Sequence, residues 1–129
     1  MKLTTVLAIT ALAVVVGCAD APLRDMNAPI IRGVTIEPMK VGLDYSEFTE
    51  FDIAFNGMRA AVKANTPSFR REVHRVGAGN FLENGAAMFP NYEPLYEKAL
   101  LKALPCPCHV TGNEPDFNHF TFLFGYTCP

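Results

Sequence analysis

A run of alternating aromatic side chains near the end of the chain is the feature that most constrains the fold. A period of two indicates a β-strand, because successive side chains of a strand point to opposite faces. Four aromatic rings on one face must be shielded from water, so another element has to pack over this strand. The alternating residues are Phe120, Phe122, Phe124 and Tyr126.

The residues before this strand predict both its partner strand and its covering helix. Residues 108–111 form a candidate strand, and residues 112–116 have the composition of a turn, which together predict a C-terminal β-hairpin. Asn91 can cap a helix that runs to about Leu104, because Pro105 cannot continue it. The apolar stripe of this helix consists of Tyr96, Ala99, Leu100, Ala103 and Leu104.

Residues 45–64 carry two competing patterns. Apolar residues recur at helical spacings, Asp44 with Glu47 resembles a capping box, and Asn65 with Pro67 forms a stop signal. Against a helix, residues 51–55 alternate as in a strand, and Gly57 costs a helix about 1 kcal/mol relative to Ala. The pattern favours a helix and leaves a strand as the alternative. The helical spacing joins Phe48, Phe51, Phe55, Met58 and Val62.

The remaining segments complete an α+β prediction. Residues 33–41 indicate a strand that Pro38 restricts to a sheet edge or interrupts. Thr66 and Pro67 begin a short helix that ends near Gly77, with a strand as the alternative, and residues 77–89 predict an irregular connection. We therefore expect a small antiparallel sheet with two or three helices packed on one face and a C-terminal hairpin.

The beginning of the chain has the pattern of an export signal. Lys2 precedes an almost wholly apolar run from residue 6 to residue 16, which is shorter than the roughly 20 residues that span a bilayer. Residues 15–18 read Val-Val-Gly-Cys. This sequence resembles the lipobox of bacterial lipoproteins, in which the cysteine thiol accepts diacylglycerol and becomes the first residue of the mature protein.

The resemblance implies that the protein is anchored in the membrane through lipid on Cys18. Two or more acyl chains anchor a protein stably, whereas one binds only marginally. Ala19 after the cysteine implies an outer-membrane lipoprotein that faces the periplasm. An ordinary secretory signal cleaved near residues 19–21 is the alternative. The predicted organisation is a signal peptide over residues 1–17, a lipidated tether over residues 18–32 and one globular domain over residues 33–129.

Three cysteines remain if Cys18 carries lipid. An oxidising compartment predicts one disulfide and one unpaired cysteine. Cys108–Cys128 is slightly favoured over Cys106–Cys128, and either bond would close a loop of about 20 residues worth about 3 kcal/mol. Cys106 with Cys108 is the least favoured pair, because Pro107 between them strains the geometry.

The same region suggests a second function of a different class. Cys106, Cys108, His109 and His119 form a possible thiolate and imidazole cluster for copper or zinc, or a thiol-exchange centre. The segment Cys106–Pro107–Cys108–His109 is one residue short of the haem-attachment pattern. A structural disulfide with surface histidines is the favoured interpretation, and no cofactor is expected.

The charge and the search for motifs argue against a nucleic-acid-binding protein and against the common catalytic sites. The formal charge of −2 becomes −3 when Lys2 leaves with the leader, and no basic patch suggests nucleic acid. The sequence holds no Gly-x-Ser-x-Gly elbow, no His-Glu-x-x-His pair and no phosphate loop. We therefore expect an envelope lipoprotein, without enzymatic activity, that binds a protein partner or has a structural role.

Overall fold

The computed structural model describes residues 30–105 and 107–129, which form an α+β domain. A five-stranded antiparallel sheet has the strand order β1-β4-β5-β7-β6, and β2 and β3 form a separate two-stranded ladder. The strands are β1 (Ile31–Thr35), β2 (Lys40–Val41), β3 (Asp44–Tyr45), β4 (Glu50–Asn56), β5 (Arg59–Ala64), β6 (His109–Asp116) and β7 (Thr121–Thr127). The helices are α1 (Thr66–Val76), α2 (Ala78–Met88) and α3 (Glu93–Ala103), and short 3₁₀ helices cover Phe89–Tyr92 and Phe117–His119.

The hydrophobic core lies between one face of the sheet and the helices. Alternating residues of β4, β5 and β7 are buried, as expected for strands covered on one face. Tyr96 of α3 is central, since its ring centroid lies 4.6 Å from that of Phe122 and 4.8 Å from that of Phe51. The α+β class, the helix-covered face and the C-terminal hairpin are therefore confirmed.

The helix predicted for residues 45–64 is wrong, because this segment forms the β4–β5 hairpin. Phe51, Ile53 and Phe55 alternate onto the buried face, as the alternative pattern required. Gly57 has a φ of +63° at the first position of the two-residue turn between Asn56 and Arg59. A type II′ turn needs glycine there. Phe48, which completed the helical spacing, is instead buried in the loop before β4.

The irregular connection predicted for residues 77–89 is also wrong, because most of it forms α2. Phe81 and Gly85 lie one helical turn apart and are buried. A ring cluster holds this helix, since the Phe81 centroid lies 5.5 Å from that of Phe69 in α1 and 5.7 Å from that of Phe117. Tertiary packing therefore outweighs the low helix propensity of the two glycines in α2.

Several predicted boundaries shift. Helix α1 is confirmed. Asn65 caps its first turn, because the Asn65 side chain accepts a 3.2 Å hydrogen bond from the Ser68 amide. Helix α3 is confirmed with shorter bounds, and a 3₁₀ helix replaces the Asn91 cap. The turn predicted at residues 112–116 is wrong, since these residues extend edge strand β6. Residues 31–32, assigned to the tether, lie in edge strand β1.

The two glycines of α2 provide a matched test of its packing. A Cβ on Gly85 would lie 2.6 Å from Cζ of Phe117, whereas a Cβ on Gly79 meets nothing within 4 Å. We expect Gly85→Ala to lower the free energy of unfolding by about 1 kcal/mol or more, because the Phe117 ring must move. Gly79→Ala should raise it by about 0.5–1 kcal/mol through helix propensity. Urea denaturation measures both, and equal effects would contradict the packing of α2.

Candidate functional site

A buried carboxylate is the most highly connected polar group among the described residues. Glu72 lies in α1 and is fully buried. Its carboxylate accepts hydrogen bonds from the Ser46 hydroxyl at 3.2 Å and from the Glu47 amide at 2.6 Å, both in the loop before β4. The Tyr92 hydroxyl donates at 2.5 Å, and Arg75 donates through Nε at 3.0 Å and Nη2 at 2.6 Å. We call these five residues the Glu72 cluster.

The electrostatics of the Glu72 cluster indicate an ionised carboxylate with a structural role. Burial acts to raise the pKa of Glu72, but the hydrogen bonds and the charge of Arg75 outweigh it, so the pKa is lowered. Burial and the adjacent carboxylate raise the pKa of Tyr92, which keeps its hydroxyl a donor. Since the Glu72 side chain has no access to solvent, the cluster joins three segments and does not form an accessible reaction centre.

The charged stretch at residues 70–75 lines a surface hollow of about 480 Å³ together with Glu47. Carboxylates already compensate two of its arginines. Arg71 Nη2 lies 3.0 Å from Glu50, and Arg75 contacts Glu72 and, at 3.7 Å, Asp44. The density of charge in this stretch is typical of a solvated face, yet Glu72 within it is buried. These ion pairs leave little excess positive charge to attract an anion.

The structure joins Cys108 and Cys128 in a disulfide, which is the pairing that the sequence favoured. The bond connects the residue before β6 to the residue after β7. It therefore closes the open end of the C-terminal hairpin, where the terminal residues would otherwise fray. Cys106, the other candidate partner, lies outside the described residues.

The candidate metal ligands are not brought together. The sulfur of Cys108 is consumed by the disulfide. His109 begins β6 and His119 follows its far end, so the strand separates them by more than about 20 Å at 3.4 Å per residue. His119 Nδ1 instead lies 2.8 Å from Asp116. Over residues 30–105 and 107–129, no three His, Cys, Asp or Glu side chains are placed to hold a metal ion.

The sequence analysis did not identify a pair of neighbouring carboxylates on α3, Glu93 and Glu97. Oε1 of Glu93 is buried without a hydrogen-bond partner among the described residues. Burial and then Glu97, one turn along the helix, raise the pKa of Glu93 to about 7. The spacing of four residues was visible in the sequence, but the burial that shifts this pKa arises only from the fold.

The helix-free face of the sheet carries a groove of about 580 Å³ across β4, β5, β7 and β6. Small residues form its floor and leave space for a ligand or a partner. Among the residues that line it, Leu123 is the large hydrophobic residue that is exposed. We call this surface the sheet groove. One row in register across the four strands is Ala54, Ala61, Leu123 and Glu114, and the next is Asn56, Arg59, Gly125 and Gly112.

The walls of the sheet groove are polar and carry both signs of charge. A bulge in β6 between Val110 and Gly112 brings Thr111 over the floor, with its hydroxyl 3.0 Å from the position a Cβ on Gly125 would take. Arg59 and Glu114 line the groove, are exposed and form no ion pair within the described part of the chain. A polar rim around a small apolar centre is typical of protein-binding surfaces.

Comparisons with known proteins give no relative: no family model, no curated protein and no solved structure matches the chain. No helix within residues 30–105 and 107–129 is long and apolar enough to cross a bilayer. Cys18, the predicted lipidation site, lies outside the described residues. The sheet groove was missed by the sequence analysis, because its floor lies partly on the hairpin that was predicted to be a helix.

The Glu72 cluster can be tested by replacing glutamate with glutamine in two different ion pairs, one buried and one half-exposed. Glu72→Gln leaves Arg75 without its buried counter-charge and should lower the free energy of unfolding by about 3 kcal/mol. Glu50→Gln breaks the half-exposed pair with Arg71 and should cost less than about 1 kcal/mol. Chemical denaturation at neutral pH measures both. Similar losses for the two variants would refute a special role for Glu72.

Glu93 gives the fold a distinct pH dependence. Its pKa rises from 4.5 to about 7 on folding, so the folded state binds its proton more tightly. The stability due to this proton is full below pH 4.5 and is lost as pH rises to about 7. We expect Glu93→Gln to flatten the decline in stability between pH 5 and pH 8, measured by thermal unfolding. The exposed Glu83→Gln is the control, and an unchanged slope in the Glu93 variant would contradict the shift.

Proposed function

We propose that the protein is a lipid-anchored lipoprotein of the bacterial envelope whose folded domain binds a protein partner. The observation that carries the proposal is the sequence Val15–Val16–Gly17–Cys18 directly after an apolar run with a short basic start. A lipobox requires a small residue before the cysteine, and the apolar run fits an export signal. Lipid on Cys18 keeps the domain at the membrane surface.

The disulfide supports an extracytoplasmic location. Disulfides persist in oxidising compartments such as the periplasm and are rare in the bacterial cytosol. Cys108 and Cys128 lie in bonding position at the end of the hairpin. With Ala19 following the lipidated cysteine, we propose the periplasmic side of the outer membrane as the location.

The sheet groove supports a binding role for the domain. One face of the sheet is closed by helices, whereas the other offers an apolar floor with Leu123 and a polar rim. Such a surface suits a protein partner, because apolar contact supplies affinity and the rim supplies specificity. The chain enters the domain at Ile31 on the outer strand β1, and the groove covers the four strands beyond it.

Intact mass of the membrane-extracted protein tests the proposal. We expect the mature chain to begin at Cys18 and to carry diacylglycerol and a further acyl chain, which an added mass of several hundred daltons would reveal. Cys18→Ser should abolish this mass and move the protein out of the membrane fraction, because the acyl chains supply the anchor. The matched control, Cys106→Ser, should keep both. A mature chain that begins after residue 18, or an unmodified wild-type mass, would disprove the anchoring.

A further inference from the structure

We propose that the sheet groove binds the sheet groove of a second copy of this chain, so that the anchored protein forms a two-fold dimer at the membrane. This inference deepens the proposed function, because it names the protein partner. The groove contains its own complementary charges. Arg59 and Glu114 flank Leu123 and Gly125, and both are exposed without an ion-pair partner among the described residues.

The positions of these charges fit a two-fold axis. Arg59 lies on β5 and Glu114 on β6, with β7 between them, so their backbones are separated by about 10 Å across the sheet at roughly 4.8 Å per strand. Leu123 and Gly125 lie between the two charges. An axis that places Arg59 opposite Glu114 of the second copy therefore passes near Leu123, and the same contact occurs twice, as an isologous interface requires.

The floor of the groove allows two sheets to approach. Ala54, Ala61, Gly112 and Gly125 have little or no side chain, so exposed Leu123 of each copy has room at the centre. Face-to-face sheets pack with their backbones about 10 Å apart, a distance that ordinary side chains fill, so these small floor residues do not obstruct the approach. The apolar centre then loses contact with water while the charges meet at the rim.

The size of the surface explains why lipid anchoring matters. Four strands and two rows of outward residues cover roughly 19 Å by 14 Å at ordinary strand spacings. This area is smaller than the roughly 800 Å² per partner of a stable interface. Two copies held in one membrane meet at a high effective concentration, so a small contact suffices there and is weaker in solution.

Photocrosslinking of the full chain in cells tests the dimer. The photoreactive residue p-benzoylphenylalanine replaces Asn56, an exposed residue in the same outward row as Arg59 and Gly125 of the groove, and a second, tagged copy is expressed beside it. We expect an adduct with the tagged copy. The same residue in place of Glu83, an exposed position on helix α2, is the control and should give none.

Charge reversal then tests the proposed contact. Arg59→Glu in both copies, or Glu114→Arg in both, places like charges opposite each other and should reduce the adduct at least about fivefold. Arg59→Glu in one copy with Glu114→Arg in the other restores one attractive pair and keeps the second, so the adduct should return. Only a contact between copies gives this rescue, because each variant chain alone remains mismatched.

The other outcomes overturn the inference. An adduct with a different protein would show that the groove has another occupant. The absence of any adduct would show that nothing covers the groove. A self-adduct that charge reversal does not change places the dimer on another surface. The proposed function and the dimer fail in different experiments. Intact mass detects an unlipidated Cys18, whereas crosslinking reports the contact between copies whether or not Cys18 carries lipid.

Discussion

The buried carboxylate of Glu72 is the interaction on which the arrangement of the helices depends. An ionised group without solvent is tolerated only when it is paired and fully hydrogen-bonded. Glu72 therefore fixes its donors: Ser46 and Glu47 before β4, Arg75 in α1, and Tyr92 in the 3₁₀ helix just before α3. With these segments joined, the helices stay on one face of the sheet, and the opposite face remains available to a partner.

The sequence predicted correctly those strands and helices whose apolar spacing fits only one kind of secondary structure. The aromatic strand before residue 127 follows from its alternation, and the helices at residues 66–76 and 93–103 follow from their start and stop signals together with apolar spacing. The errors occur where two periodicities coincide or where tertiary contacts outweigh propensity. Residues 51–55 satisfied both a strand and a helix, and the glycines of α2 concealed a helix that the Phe81 ring cluster stabilises. Pro115 indicated a turn, yet an edge strand tolerates proline.

The sites were harder to predict than the fold, because they depend on residues distant in the chain. The Glu72 cluster unites residues from position 46 to position 92, and no local pattern marks a charged residue of α1 as buried. The sheet groove depends on the register between β5, β7 and β6, which brings Arg59 and Glu114 to the same surface. By contrast, the candidate lipidation signal at Cys18 is a continuous motif, and a cysteine pairing could be ranked from spacing.

Direct observation of the Glu72 carboxylate is the most decisive test of this arrangement. A ¹³C NMR titration of the glutamate side chains in the folded protein reports the ionisation of each one. The carboxyl resonance of Glu72 should stay at its ionised position as pH falls through 4.5, its ordinary pKa, and should change only at lower pH or when the fold is lost. A Glu72 that is protonated at neutral pH, or that titrates above 4.5, would contradict an ionised carboxylate at the centre of the fold.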